Sequence, residues 1–263
     1  MSPAWRSGKG DSPIRDLSNV AVIAQVTRRF DVLAVQEVRR SAQAFLAMMT
    51  VLGPDWQYVV TDVSDGAAGN GERLAFVWDG SRVRLGGLAC ELVVAPDAAG
   101  LPPDVLAGQF ARTPHAVSFA RGSQVFTLTT LYVRYGTTAE RTPELTEIAA
   151  WLARWAKCGE PWSTNLIALG DFNIDRQDDP AWQAFTSTGL QAPAAMNLLP
   201  RTVFDDPDPA APPDHRHFYD QMAWFPPDKA TKTGFALRVS CQRGTALVPC
   251  PIAAQDGSAS VAV

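Results

Sequence analysis

The sequence is poor in the features that mark several common classes of protein. Its four cysteines, Cys90, Cys158, Cys241 and Cys250, lie far apart without a Cys-x-x-Cys pair, which argues against a zinc ribbon and a dense disulfide scaffold. With only three histidines, a histidine-rich metal site is not expected. No apolar run approaches the roughly 20 residues that cross a bilayer, and residues 1–9 lack the apolar centre of a signal peptide. We therefore expect a cytoplasmic protein without stable membrane insertion, or a secreted one if the N-terminus is clipped.

Charge is also scarce, and it is nearly balanced. The 263 residues include 23 Lys and Arg against 27 Asp and Glu, which gives a formal net charge of −4. This balance excludes nucleic-acid binding through a broad basic surface, because such binding needs many cations to displace counterions. A local basic groove or a metal-assisted phosphate site is still compatible with it. Because we find no repeat and no break in composition, we predict a single domain over residues 1–263 and a monomer.

Hydrophobic spacing predicts an α/β protein in which helices and strands alternate. Thr142 is the expected cap of the third helix, with Glu144 and Glu147 complementing the dipole of its first turn. Beyond Pro227 the pattern weakens. The predicted helices cover 16–29, 41–52, 142–157 and a short stretch from 179, and the predicted strands cover 30–38, 56–63, 74–78, 92–94, 115–120, 124–135, 165–169 and 218–225.

Two acidic residues follow apolar strands, where open α/β sheets place functional groups. Glu37 ends the run that begins at Phe30, and Asp171 follows the run from Asn165 to Gly170. A carboxylate in such a position is poorly solvated unless a cation or a hydrogen-bond donor meets it. Mg²⁺ would suit both residues because it prefers oxygen ligands and takes only one or two carboxylates. The alternative is that they cap loops or pair with Arg39 and Arg176.

Six segments resemble motifs of a known family and occur in its order: AVQEV, GERLAFVWD, FARTPHAVSF, TLYVRYG, LIALGDFNID and FYDQMAWF. The sequence resembles the endonuclease/exonuclease/phosphatase superfamily, which has the fold of deoxyribonuclease I, over about residues 16–226. The resemblance implies a four-layered α/β sandwich in which helices flank two central mixed sheets. It also implies hydrolysis of phosphoester bonds with Mg²⁺ or Mn²⁺. Residues 227–263 form an atypical tail.

The resemblance assigns the central chemistry to four residues. Glu37 is similar to the metal-binding glutamate of the superfamily. Asp171 is similar to the aspartate that activates or orients the attacking water, and Asn173 to the asparagine whose amide donates to the phosphate. Asp220 is similar to the carboxylate that orients an essential C-terminal histidine.

Three further residues are assigned by similarity, two of them with simpler alternatives. Glu72 resembles an acid that partners a second histidine, although it could form a turn ion pair with Arg73. Arg112 resembles an arginine near the bound phosphate, although it could merely support its loop. Tyr132 stands where the superfamily has a histidine, and its phenol could donate a hydrogen bond to phosphate.

The sequence departs from the superfamily at both ends. It lacks a first strand carrying an asparagine for the metal site, and it lacks the C-terminal Ser-Asp-His segment. Two hypotheses follow: a nuclease or phosphodiesterase whose activity is impaired or whose ends were lost, or a catalytically degenerate binding or scaffolding module. We expect a phosphoester substrate, either DNA contacted near Arg112, Arg134 and Arg201, or a phospholipid or inositol phosphate.

Overall fold

The computed structural model describes most of the chain and gives eleven strands and four helices within the described residues. The described residues are 17–64, 70–92, 110–159, 162, 165–177, 179–193, 218–225, 237–243, 246–249 and 259–262. Within them, no helix combines the length and the apolar character needed to cross a membrane.

The strands form two sheets. The first sheet has six strands in the order β10-β9-β11-β1-β3-β2. Its members are β1 (Val32–Arg39), β2 (Trp56–Val60), β3 (Glu72–Asp79), β9 (Leu237–Arg243), β10 (Ala246–Pro249) and β11 (Ala259–Ala262).

The second sheet has five strands in sequence order, β4 to β8. The pair β6–β7 is parallel and the other neighbours are antiparallel, so this sheet is mixed. Its members are β4 (Arg84–Glu91), β5 (His115–Arg121), β6 (Gln124–Tyr132), β7 (Leu166–Ile174) and β8 (Phe218–Trp224).

Three apolar clusters show that the elements stack in four layers. Between the sheets lies a core that includes Phe76, Phe119 and Leu169. A second cluster packs the five-stranded sheet against α3 (Thr138–Ala156) and α4 (Pro180–Thr186). A third packs the six-stranded sheet against α1 (Leu17–Thr27) and α2 (Gln43–Leu52). The predicted sandwich of two mixed sheets flanked by helices is therefore confirmed.

Most predicted elements are confirmed with small shifts of boundary, but the third helix begins earlier than predicted. The helix α3 starts at Thr138, and Thr137 precedes it as the N-cap. The backbone N–H and the hydroxyl of Thr137 both donate to the Glu140 carboxylate, at 2.8 and 2.9 Å. Thr142, the expected cap, instead donates its hydroxyl to the Thr138 carbonyl inside the helix. The Thr-x-x-Glu spacing at 137–140 was the signal for this start.

Because α3 starts earlier than predicted, two glutamates occupy different positions in the helix from those expected. Glu144 and Glu147 were expected in the first turn beside the helix dipole, but both lie further along α3 and are buried. Glu140 occupies the first turn instead. The expectation for Glu144 and Glu147 was therefore wrong, because it depended on the wrong helix start.

Two β regions differ from the prediction. The strand β4 covers Arg84–Glu91, whereas the sequence suggested a strand at 92–94. Two glycines, Gly86 and Gly87, weaken the β signal there, and the register of β4 against β5 shifts between Leu85 and Ala89. In the tail, β9, β10 and β11 join the first sheet, and β11 runs parallel to β1. The prediction of little strand structure after Pro227 was wrong.

Gly170 allows β6 and β7 to approach closely just before Asp171. Its φ is 140°, and a Cβ on this residue would lie 2.0 Å from the Leu131 carbonyl oxygen. A side chain at this position would therefore push the two parallel strands apart. Glycine at the start of the GDFN segment fixes where Asp171 sits relative to β6.

Candidate functional site

The candidate site lies at one edge of the space between the two sheets. Tyr132, Asp171 and Asp220 are register partners across the neighbouring strands β6, β7 and β8. Glu37, near the end of β1, reaches them from the facing sheet through the Tyr132 hydroxyl. This edge therefore collects polar residues above the apolar core of the sandwich.

A bulge in β1 places two consecutive side chains on the inner side. The register of β1 against β3 shifts between Val35 and Val38, and Glu37 has a φ of 58°. In a regular strand Gln36 and Glu37 would point to opposite faces. Here the Gln36 amide donates to the Thr130 hydroxyl at 2.8 Å, and Glu37 accepts from Tyr132 at 2.7 Å. Both contacts cross to the second sheet, so the bulge turns Glu37 toward the site.

The GDFN segment bends in a similar way on β7. Its register against β8 shifts between Asp171 and Ile174, and Asn173 has a φ of 50°. The Asn173 backbone N–H donates to the Asp171 carboxylate at 2.9 Å. The Asn173 side-chain amide donates to the Val133 carbonyl at 2.7 Å. Asn173 thus orients Asp171 and ties the GDFN turn to the end of β6, which leaves one amide N–H for any ligand.

Asp171 is surrounded by groups that disfavour its charged form. Burial raises the pKa of its carboxyl most, and the neighbouring Asp220 and Glu37 carboxylates raise it further. The Asn173 hydrogen bond and the charge of Arg112 act in the opposite direction. A carboxyl with a raised pKa close to other acids is a common feature of sites that transfer protons or bind cations.

The two carboxylate oxygens of Glu37 have different surroundings. Its Oε1 accepts the Tyr132 hydrogen bond, whereas its Oε2 is buried without a hydrogen-bond partner among the described residues. Burial, the hydrogen bond to Glu37 and the Glu37 charge all raise the pKa of the Tyr132 phenol, so it stays protonated and acts as a donor. The expected alternative partner Arg39 pairs with Glu72 instead, at 3.3 Å.

Glu72 and Arg112 form a buried ion pair beside the carboxylates. The guanidinium Nε and Nη2 both lie 2.9 Å from Glu72 Oε2. Burial raises the pKa of Glu72, and Arg112 opposes that shift. The alternative of a turn ion pair with Arg73 is not what forms, since Arg73 donates to the Thr61 carbonyl. Within the described part of the chain, Glu72 is thus tied to arginine rather than to the histidine that the resemblance implied.

Arg112 also stacks on an aromatic ring. Its guanidinium carbon lies 3.8 Å from the centre of the Tyr132 ring. Arg112 therefore contacts Glu72 and Tyr132, and its charge lowers the pKa of Asp171. The position near a bound phosphate that the resemblance implies for Arg112 stays a prediction.

Sequence reasoning missed one acidic residue near the site. Glu144 of α3 is buried and accepts a hydrogen bond from the Arg134 backbone N–H at 3.5 Å. Burial raises its pKa to about 7, while Arg134, Arg112 and the Ala111 backbone act against the shift. Glu144 thus ties α3 to the loops that carry Arg112 and Arg134. Its position four residues before the buried Ile148 places it on the inner face of α3.

The three histidines and the two remaining arginines suggested for DNA binding are placed as follows. The His115 ring is buried, with Nδ1 3.2 Å from the Cys90 carbonyl oxygen, and burial lowers its pKa to about 4. Arg134 donates to Glu140 at 3.1 Å and is partly exposed. Arg201, His215 and His217 lie outside the described residues. In the described ranges, no group of three or more His, Cys, Asp and Glu is arranged to hold a metal ion.

No protein-family model matches the sequence, and no curated protein matches it significantly. Solved structures do match its fold. A functionally unknown conserved protein from Enterococcus faecalis V583 is 16% identical to this chain. The structural alignment spans 84% of each of the two chains, with a TM-score of 0.60.

Two proteins from Bacteroides thetaiotaomicron, both 18% identical, have similar folds. The first is an endonuclease/exonuclease/phosphatase family protein, and its structural alignment spans 78% of this chain and 73% of that protein, with a TM-score of 0.51. The second is a mannosyl-6-phosphatase, and its structural alignment spans 78% of this chain and 76% of that protein, with a TM-score of 0.53. At these identities the similarity concerns the fold.

Proposed function

Because the chain has the fold of endonuclease/exonuclease/phosphatase proteins, we propose that it hydrolyses phosphoester bonds with a divalent metal ion, Mg²⁺ or Mn²⁺. The observation that carries the proposal is that Glu37, Asp171 and Asp220 lie at one edge of two facing sheets, where the charges of Glu37 and Asp220 raise the pKa of Asp171. One protein with this fold is named a phosphatase. Since a fold can host many activities, the proposal depends on these residues.

The carboxylates at this edge fit a hard divalent cation. The buried Glu37 Oε2 has no hydrogen-bond partner in the part of the chain that the structure describes, so a cation would satisfy an oxygen that is otherwise poorly solvated. Mg²⁺ needs few protein ligands because it keeps several water molecules, and one or two carboxylates are enough. A cation held by Glu37 would offset the negative charge of a bound phosphoryl group.

Asp171 and Asp220 are the groups proposed to handle the proton of the attacking water. They face each other across β7 and β8, and the charge of Asp220 helps to raise the pKa of Asp171. A carboxylate with a raised pKa is a better base at neutral pH. The hydrogen bond from the Asn173 backbone holds one Asp171 oxygen in place, which leaves the other to accept a proton.

Arg112 is the group proposed to meet the phosphate. Glu72 engages its Nε and Nη2, and the Tyr132 ring covers one face of the guanidinium. These contacts hold the guanidinium in one orientation before any ligand binds. Nη1, which Glu72 does not engage, is the nitrogen proposed to donate to a phosphoryl oxygen.

A second function is favoured by the distribution of histidine. Within the described ranges the one histidine is His115, whose ring is buried with Nδ1 3.2 Å from the Cys90 carbonyl oxygen. Loss of an acid–base group costs about 10²- to 10⁴-fold in rate. A module that binds a phosphorylated ligand without turning it over is therefore the alternative to a hydrolase.

Hydrolysis of bis(p-nitrophenyl) phosphate and p-nitrophenyl phosphate, with Mn²⁺ or Mg²⁺, tests the proposal. We expect metal-dependent turnover of at least one ester. Asp171→Asn should lower kcat/KM by about 10²- to 10⁴-fold, and Glu37→Gln should raise the Mn²⁺ concentration needed for activity. Asp55→Asn, a change at an exposed aspartate, serves as the matched control and should leave the rate unchanged.

The same preparation distinguishes the two functions. Turnover that survives both Glu37→Gln and Asp171→Asn would come from a contaminant and would count against the hydrolase. No turnover, together with Mn²⁺-dependent binding of inorganic phosphate by calorimetry, would establish the binding module instead. Comparison of the diester with the monoester then indicates whether a phosphodiesterase or a phosphatase is the better description.

A further inference from the structure

Tyr132 contacts two members of the site with different parts of its side chain. Its hydroxyl donates to Glu37 Oε1 at 2.7 Å, and its ring lies under the Arg112 guanidinium at 3.8 Å. Its backbone is in register with Asp171 on the neighbouring strand. Tyr132 thus stands between the proposed metal ligand and the proposed phosphate-binding arginine.

We infer that Tyr132 is a positioning residue that sets Glu37 through its hydroxyl and Arg112 through its ring. The inference rests on the proposed function and gives Tyr132 a different role from the phosphate donor expected from the sequence. A phenol has one proton to donate, and that proton goes to Glu37. The group is therefore already engaged before a phosphate arrives.

The hydroxyl determines which oxygen of Glu37 is available to a cation. Because Oε1 accepts from Tyr132, Oε2 is the oxygen that has no hydrogen-bond partner within the described ranges. The φ of 58° at Glu37 places the carboxylate toward the second sheet, and the Tyr132 bond then fixes its rotation. Glu37 would in this way hold a cation through one oxygen, Oε2. Hydrogen bonds that orient a ligating carboxylate are worth about 10- to 100-fold in metal affinity.

The ring has a separate effect on Arg112. The Glu72 carboxylate holds two guanidinium nitrogens from the edge, while the Tyr132 ring supports the guanidinium from one face. Contacts from two directions restrict the guanidinium more than the ion pair alone. A substitution that removes the ring should therefore weaken the binding of an anion, whereas one that removes only the hydroxyl should not.

Two variants separate these effects. Tyr132→Phe removes the hydroxyl and keeps the ring, whereas Tyr132→Leu removes both. Tyr58→Phe, at an exposed tyrosine on β2 in the other sheet, is the matched control. Mn²⁺ binding is measured from the paramagnetic resonance signal of free Mn²⁺, and inorganic phosphate binding by calorimetry at saturating Mn²⁺.

We expect Tyr132→Phe to weaken Mn²⁺ binding about tenfold and to leave phosphate affinity within about twofold at saturating Mn²⁺. Tyr132→Leu should weaken both, and Tyr58→Phe neither. Because both Tyr132 variants lack the hydroxyl, either one that keeps the wild-type thermal unfolding transition suffices for the Mn²⁺ measurement.

The outcomes distinguish this inference from the proposed function. If the wild type binds Mn²⁺, Glu37→Gln abolishes that binding and Tyr132→Phe does not change it, the positioning role is wrong and the metal site stands. If the wild type binds no Mn²⁺, the metal-dependent function is overturned, and the role of Tyr132 falls with it. Equal phosphate affinity in Tyr132→Phe and Tyr132→Leu would overturn the role of the ring.

Discussion

Glu37 and Asn173 adopt left-handed backbone conformations that are uncommon for residues other than glycine. Their φ angles are 58° and 50°, and each lies at a point where a strand shifts register against its neighbour. Such conformations cost free energy and often occur at functional sites. Here they aim the Glu37 carboxylate at the second sheet and bring the Asn173 N–H to Asp171. The strained backbone and the candidate site coincide at these two residues.

His115 is expected to make stability depend on pH. Burial lowers its pKa in the folded protein to about 4, from an ordinary value of 6.5. The unfolded chain therefore binds the proton more readily, and stability falls as the pH drops from 6.5 toward 4. Between pH 7 and pH 5, wild type should lose about 2 kcal/mol of unfolding free energy relative to His115→Gln.

Urea unfolding of both proteins at pH 7 and pH 5 measures this difference. The comparison is made between proteins because the Glu144 carboxyl, whose pKa is raised to about 7, shifts stability in the opposite direction in both. A gap between wild type and variant that is the same at the two pH values would show that His115 does not titrate on unfolding.

At the scale of single elements, α3 combines a capped first turn with a buried acidic residue. The contacts of Thr137 with Glu140 start the helix before Pro143. Glu144 lies three residues after the buried Arg141 and four before the buried Ile148, so it is on the buried face of α3, where it accepts from the Arg134 N–H. The helix thus joins a capped first turn to a buried acid that contacts a loop of the candidate site.

Thr137→Ala should destabilise the protein by about 1 kcal/mol, the usual effect of losing an N-cap. The matched control is Thr146→Ala, an exposed threonine inside α3 whose hydroxyl bonds only to the preceding turn. That change should not destabilise, since a threonine bond to the previous turn adds little to helix stability. Thermal or urea unfolding of the two variants gives the comparison, and equal effects would contradict the capping role.

At the scale of the whole molecule, an ion-pair cluster joins the sheets at the end of β1 opposite to Glu37. Asp31, just before β1, is buried and pairs with Arg82 at 3.0 Å and with Arg121 at 3.1 Å. Arg82 follows β3, and Arg121 ends β5 in the other sheet. The cluster therefore connects the two layers away from the candidate site.

Asp31→Asn should lower the unfolding free energy by about 2 kcal/mol, between the values for exposed and buried pairs, because the aspartate is buried and the arginines are partly exposed. Metal and phosphate binding should be unchanged at a temperature where the variant is folded. Asp55→Asn is the control for the loss of one negative charge and should not change stability. A loss of Mn²⁺ affinity in folded Asp31→Asn would show that the two ends of the sandwich are coupled.

The sequence predicted much of the architecture because its signals are local. Alternating and continuous apolar runs identified β1, β5, β6, β7 and β8, and Glu37 and Asp171 were recognised from their positions after apolar strands. It did not predict β4, whose glycines weaken the strand pattern, or β11, which pairs with β1 from the far end of the chain. Pairing between distant segments leaves little trace in local spacing.

Sequence by itself determined the type of fold, through its apolar spacing and its resemblance to a known superfamily, and it singled out Glu37 and Asp171 as residues that follow apolar strands. Only the tertiary structure decided which groups meet. The bulge in β1 brings Glu37 to Tyr132, and the fold brings Arg112 to Glu72 and to the Tyr132 ring. The physical reason is that hydrogen bonds and ion pairs form over about 3 Å, whereas their partners here lie tens of residues apart in the chain. Their meeting depends on the register and packing of the two sheets.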